Sequence, residues 1–218
     1  MKTRMPCGGP DPQNIPADFP DEKRAYSAER ELALCLLKAL SAAGERVTFA
    51  ESCTGGLLSA VFCSVPGASE VYDGGLVSYA NSVKHRLLSV EESVLSTFGP
   101  VSEQCCAQMA KGACALFSAQ LGLAVTGFAG PGGGTPEKPV GTVYIGACHK
   151  GELLVKRYLF SGDRQAVRRQ AANAALRLGL EVLSAEQFRA HSAPLGCSDP
   201  GKTEKGRFSS EGFGKRRS

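Results

Sequence analysis

The chain has 218 residues, 43% of them hydrophobic and 21% charged, which suits one globular domain with tails and a sizeable buried core. No apolar run approaches the roughly 20 residues that cross a bilayer, and Met1 to Pro20 are Pro-rich and polar, so a membrane span and a secretory leader are both disfavoured and a cytoplasmic protein is expected. The net charge of +4 does not mark a nucleic-acid binder, because from Ser198 to Ser218 six Lys or Arg stand against three acids and the rest of the chain is close to neutral.

Residues 1–26 lack apolar periodicity and carry several prolines, so a loose extension is expected there. Order is predicted from Ser27. That serine caps a helix with Glu29 and Glu31 in its first turn, Leu32, Cys35, Leu36, Ala39 and Leu40 at helical spacing, and Gly44 at its end. A short strand follows over Val47 to Ala50. Next comes E-S-C-T-G-G and an apolar run from Leu57 to Val65 that Pro66-Gly67 terminates, which reads as strand, turn and helix. Gly74 to Ala80 is a second strand, Ser102 to Ala119 a helix entered from Gly99-Pro100, and Leu123 to Thr126 a third strand. After a Gly/Pro-rich loop, Gly127 to Pro139, the β-rich runs Val140 to Cys148 and Leu153 to Phe160 meet at Lys150-Gly151 as a hairpin. Asp163 caps a last helix reaching about Ser184.

Strands and helices that interleave, with one hairpin appended, define an α/β fold with a mixed sheet between helix layers, a single domain over residues 27–186. From 187 to 218 the composition turns to Gly, Ser and charge, and a disordered basic tail is expected. The nine cysteines are odd in number, scattered and never spaced C-x-x-C, so they read as reduced thiols rather than a disulfide framework or a zinc site.

The densest chemical signal is Ala50-Glu51-Ser52-Cys53-Thr54-Gly55-Gly56, where a strand hands over to a helix. Strand ends of open α/β sheets are where ligands bind, and free N–H groups at a helix start favour an anion. Ser52 there could be a nucleophile; equally, Ser52 or Thr54 could merely cap the helix. A nucleophilic serine needs a base, and the three histidines serve poorly: His191 lies in the tail, His149 at the hairpin turn and His85 in a polar helix start. A partly buried lysine can substitute, since burial favours its neutral form. Lys84 is the candidate, just after the strand end Ser78-Tyr79-Ala80-Asn81, where the Tyr79 phenol could relay or orient; a solvated helix lysine is the competing reading.

The segment from Val125 to Gly141 is rich enough in glycine to let backbone approach a ligand closely, and Thr126, Gly127, Gly130 and Gly132 are its candidate contacts. Arg164 and Arg168 stand one turn apart at the start of the last helix, where the macrodipole disfavours cations, so they either bind an anion or pair with carboxylates and water. Gly196 to Thr203 fits G-x-x-x-x-G-K-[ST] literally, but without a strand before it or a helix after it the pattern is rejected as a phosphate loop.

With these segments in place, the chain resembles the C-terminal domain of the competence/damage-inducible protein A (CinA) family, whose stand-alone members are nicotinamide-nucleotide amidases. The likeness runs from about Ser27 to Ser184 and rests on A-E-S-C-T-G-G-L-L-S-A, P-G-A-S, G-G-L-V-S-Y-A-N-S-V-K, V-S-E, A-V-T-G-F-A-G-P-G-G-G-T-P-E-K-P-V-G-T-V-Y and F-S-G-D-R-Q-A-V-R-R-Q. The resemblance implies a serine/lysine amidohydrolase that needs no metal or cofactor and converts nicotinamide mononucleotide to nicotinate mononucleotide and ammonia. The family's serine falls on Ser52 and its lysine on Lys84, with Tyr79 in the same motif. Extended from that likeness, Thr54, Gly55 and Gly56 would supply oxyanion N–H groups, Thr126, Gly127 and the glycine loop would line the pocket, and Arg164 and Arg168 would hold the phosphate. A homo-oligomer without nucleic-acid or membrane partners is expected. The alternative is a non-catalytic interaction module tied to DNA uptake or damage, whose only sequence support is the basic tail.

Overall fold

In the computed structural model, residues 27–192 are described, with side chains over 28–185. The N-terminal extension, the basic tail from residue 193 on and the rejected Gly196 to Thr203 pattern lie outside the described residues, while 187–192 of the expected tail belong to the last helix. Five strands form one sheet in the order β2-β1-β3-β4-β5. They are β1 (Val47–Glu51), β2 (Tyr72–Val77), β3 (Leu121–Gly127), β4 (Thr142–His149) and β5 (Glu152–Leu159). β1 lies between β2 and β3 and runs parallel to both, while β4 and β5 add an antiparallel hairpin. This is the mixed sheet that the sequence predicts. The hairpin turn is made by Lys150 and Gly151, both at positive φ.

The helices are α1 (Ser27–Ala43), α2 (Leu57–Cys63), α3 (Asn81–Leu88), α4 (Glu92–Thr97), α5 (Glu103–Phe117) and α6 (Arg164–Ser192), with a short 3-10 turn at Ala68–Glu70. Alternation along the strands sorts the core into two layers. Phe49 of β1 and Leu121, Leu123 and Val125 of β3 pack with α1, α2 and α6. Ala50 and Ala124 point the other way and pack with Cys105, Met109 and Ala113 of α5. No helix among the described residues is long and apolar enough to cross a membrane.

Several elements differ from the sequence reading, β3 starting at Leu121 and β4 at Thr142 among them. β2 starts earlier and stops at Val77, because Ser78 to Ala80 already turn into α3. α4, a six-residue helix with little periodicity to betray it, was not predicted. α6 runs on to Ser192, past the end expected near Ser184, while its start is capped as expected, the Ala166 N–H donating to Asp163 Oδ1 at 2.8 Å. Seven cysteines fall within the described residues, and all are free thiols.

Candidate active site

The carboxyl ends of the three parallel strands converge, and each delivers part of one site. β1 runs directly into Ser52, whose N–H continues the sheet by donating to Val125 O at 2.9 Å. β2 leads into Ser78 and Tyr79, and the Ser78 N–H donates to Glu51 O at 2.7 Å. α3 then begins, and Lys84 and Leu88, one turn apart, form its buried face.

Only 1% of Lys84 is exposed. Its Nζ donates to Ser78 O at 2.6 Å and to Tyr79 O at 3.3 Å, and lies 3.0 Å from Ser52 Oγ. Burial holds its pKa below the usual 10.5 against opposing influence from Cys105 and Cys53. Nζ therefore has three oxygens within hydrogen-bond reach, two backbone carbonyls and the serine hydroxyl. Neighbouring Cys53 is buried, and burial pushes its thiol up to about 12, which disfavours the thiolate at neutral pH.

A cavity of about 230 Å³ opens over this pair. Of the residues expected to form the site, Ser52, Tyr79, Lys84, Thr126, Gly127, Gly130, Gly132 and Arg164 line it. Thr126 is buried and donates its hydroxyl to Pro100 O at 2.8 Å, fastening the wall rather than offering a free donor. Arg164 spans the mouth, donating to Gly130 O at 2.7 Å and to the Tyr79 hydroxyl at 3.0 Å. The Tyr79 phenol thus faces Arg164, and it is the Tyr79 carbonyl, not the phenol, that meets Lys84.

Thr54, Gly55, Gly56 and Arg168 do not line the cavity. The Gly56 N–H donates to Glu51 Oε2 at 2.9 Å and the Gly55 N–H to Ser52 O at 3.2 Å, so neither is available to an oxyanion. Arg168 donates twice to Thr54 O, at 3.0 and 2.7 Å, and once to Gln165 Oε1, so it braces the turn from behind. Neither Ser52 nor Thr54 caps α2. The Glu51 side chain does that, across Gly55 and Gly56 at φ +60 and +92.

Cys53, Asn81, Pro100, Val101, Phe128 and Ala129, which were not among the expected site residues, complete the wall. Sequence reasoning also missed Lys138, whose Nζ donates to Val101 O at 2.7 Å and Phe98 O at 3.2 Å and so ties the glycine loop to the segment entering α5. A cation inside a Gly/Pro loop is the only signal that could have found it. Among the described residues no cluster of three or more His, Cys, Asp or Glu is arranged to hold a metal ion.

By fold and site this is a single-domain α/β protein in which a buried lysine meets a half-buried serine at the carboxyl end of a central parallel strand. Residues 29–183 match the CinA C-terminal domain, and the chain belongs to that family. It is 46% identical over 160 residues to the nicotinamide-nucleotide amidohydrolase PncC of Enterobacter agglomerans, covering 73% of this chain and 95% of that protein. A CinA-like protein of Anaeromyxobacter sp. (strain Fw109-5) is 47% identical over 151 residues, 69% of this chain but 37% of that relative, so the chain spans little more than a third of the longer kind of relative. Among solved structures, a CinA superfamily protein from Klebsiella pneumoniae superposes with TM-score 0.70 at 36% identity, covering 72% of this chain and 98% of that one. The competence/damage inducible protein CihA of Agrobacterium tumefaciens does so with TM-score 0.70 at 37% identity, covering 77% and 99%.

Proposed function

We propose that the protein is an amidohydrolase that converts nicotinamide mononucleotide to nicotinate mononucleotide and ammonia, with Ser52 as nucleophile and Lys84 as base. The observation that carries the reading is the 3.0 Å approach of Lys84 Nζ to Ser52 Oγ inside a cavity. The substrate class is supported by the likeness to PncC, which extends over nearly all of that protein.

In this reading, neutral Lys84 takes the Ser52 proton as Oγ bonds to the carboxamide carbon, and the carbonyl π pair moves onto oxygen. The Cys53 N–H, which donates to no backbone carbonyl among the described residues, receives that oxyanion; such a donor is typically worth about 3 kcal/mol. Collapse breaks the C–N bond, and the Lys84 ammonium returns its proton to the departing nitrogen as ammonia. Lys84, neutral again, then deprotonates a water that attacks the acyl carbon. The C–O bond to Ser52 breaks, Oγ takes back the proton held by Lys84, and the acid product releases its remaining proton to solvent and leaves as the carboxylate. Arg164 is the cation at the mouth, and an incoming phosphate would replace the weaker acceptors Gly130 O and the Tyr79 phenol.

The test is ammonia release from nicotinamide mononucleotide, its riboside and free nicotinamide, by the wild-type chain and by Ser52→Ala. Turnover of the mononucleotide by the wild type alone is expected. Equal turnover by Ser52→Ala would exclude Ser52, and absence of wild-type turnover on all three would exclude the substrate class.

A further inference from the structure

Glu51 is fully buried and does not line the cavity, and among the described residues no Lys, Arg or His is paired with it. Its carboxylate is instead wrapped by the start of α2. Oε2 accepts from the N–H groups of Gly56 at 2.9 Å and Leu58 at 3.1 Å, and Oε1 from the N–H and hydroxyl of Ser59 at 2.8 and 2.6 Å. The Tyr72 hydroxyl donates to Ser59 Oγ at 2.9 Å and so joins β2 to the same network. A carboxylate far from solvent persists only where several donors replace its lost hydration, and four do so here.

This network sits one residue before the serine. Alternation sends the Glu51 side chain to the α2 face with Phe49, while Ser52 turns to the α3 face and Lys84. The chain between Glu51 and α2 contains two left-handed glycines; Arg168 braces it at Thr54 O, and Glu51 holds its α2 end. We propose that Glu51 is a positioning residue for the reaction: by locking the start of α2 onto the end of β1, it fixes the turn that aims Ser52 Oγ at Lys84 Nζ. The inference rests on the serine–lysine reading above. It also accounts for the unavailability of the α2 N–H groups to substrate, since the protein's own carboxylate holds them.

The experiment compares the wild type with Glu51→Gln, which keeps the shape but turns an NH₂ toward N–H donors, and with the milder Ser59→Ala, which removes one donor and the Tyr72 link. For each variant that folds, kcat for ammonia release should fall roughly 10- to 100-fold, as expected for a nucleophile misplaced by about 1 Å, with KM within about twofold of wild type and the pH midpoint of the rate unchanged. A purely structural role would lower the melting temperature yet leave kcat per folded molecule intact, and that result overturns the proposal. Labelling of Ser52 by a fluorophosphonate probe, which needs no amide substrate, separates the two levels. Slowed labelling in the variants supports Glu51 even where no ammonia is released by the wild type, whereas equal labelling overturns it. A crystal structure of Glu51→Gln in which Ser52 Oγ still lies 3.0 Å from Lys84 Nζ would overturn it irrespective of either assay.

Discussion

Lys84 Nζ lies 3.0 Å from Ser52 Oγ although 32 residues of chain separate them, and both ends are delivered by neighbouring parallel strands. Since only the neutral amine can accept the serine proton, the rate should follow the neutral fraction of Lys84. Burial lowers its pKa from 10.5, so kcat/KM should rise with pH through a midpoint below 10.5 and be lost on acidification. The unfolded chain keeps that proton up to about 10.4, so the same group makes folding stability increase with pH between the two midpoints. Lys84→Arg, which cannot deprotonate, should remove the ascending limb along with the activity. A wild-type midpoint at or above 10.5 would count against Lys84 as base.

Cys53, the residue beside the proposed nucleophile, should be silent. A thiol at about 12 has only a fraction on the order of 10⁻⁵ as thiolate at pH 7. Ser52→Ala should therefore lose about 10⁴-fold or more in kcat, and adding Cys53→Ala should change the residual rate little. A residual rate that disappears in the double variant and responds to thiol alkylation would show that Cys53 had taken over.

The two arginines at the start of α6 should part company. Arg164 lines the cavity, whereas Arg168 is spent on the Thr54 carbonyl. Arg164→Met should raise KM for the mononucleotide by about 10- to 100-fold while leaving the riboside nearly unaffected, the loss expected for a charge-assisted contact to phosphate. Arg168→Met should instead lower the melting temperature and leave KM for the two substrates in the wild-type ratio. Equal KM effects on mononucleotide and riboside in Arg164→Met would remove the phosphate role.

At the opposite end of the sheet, Glu45 accepts from His149 at 2.7 Å and pairs with Lys150 at 2.7 Å, joining the start of β1 to the hairpin. Burial raises the carboxyl pKa, but the hydrogen bonds from Lys150 and His149 outweigh it, and the net shift is below 4.5. A carboxylate lowered in this way stabilises the fold above its unfolded value and ceases to do so as pH falls through the folded one. Glu45→Gln should cost about 1 to 3 kcal/mol at pH 7 and flatten the loss of stability below pH 4.5, read from urea midpoints. An unchanged midpoint at pH 7 would mean the pair contributes nothing.

Strand content and the turn at Ser52 were legible because local rules speak there: short β-rich runs at β1, β3 and β4, which are buried on both faces, Gly55-Gly56 after the strand, and Lys150-Gly151 at the hairpin. What local rules cannot convey is which donors are already spent. Gly55 and Gly56 read as free N–H groups until Ser52 O is seen to take the first and the Glu51 side chain the second. Arg164 and Arg168 have the same sequence signal, and only the packing of α6 against the Thr54 turn divides them. Lys84, likewise, resembles a surface lysine in a polar stretch, and its burial depends on α3 lying against α5, a contact between segments with no shared local signal.

That contact also gives the sharpest test of packing against propensity. Gly112 lies inside α5, where intrinsic helix propensity says alanine should stabilise by about 1 kcal/mol. A Cβ there would overlap the Leu88 carbonyl oxygen and lie 2.7 Å from its carbon and 2.9 Å from its Cα, at the last residue of the helix that carries Lys84. All of the nearest atoms are backbone, so no side chain can rotate away, and α3 itself must move. Overpacking of this kind costs typically about 1 to 3 kcal/mol and should reverse the sign that propensity predicts. Gly112→Ala should therefore lower the melting temperature and, because α3 shifts with Lys84 on it, reduce kcat by about tenfold or more even where the protein remains folded. A variant at least as stable as wild type with undiminished kcat would mean that the α3–α5 contact does not set the lysine's position.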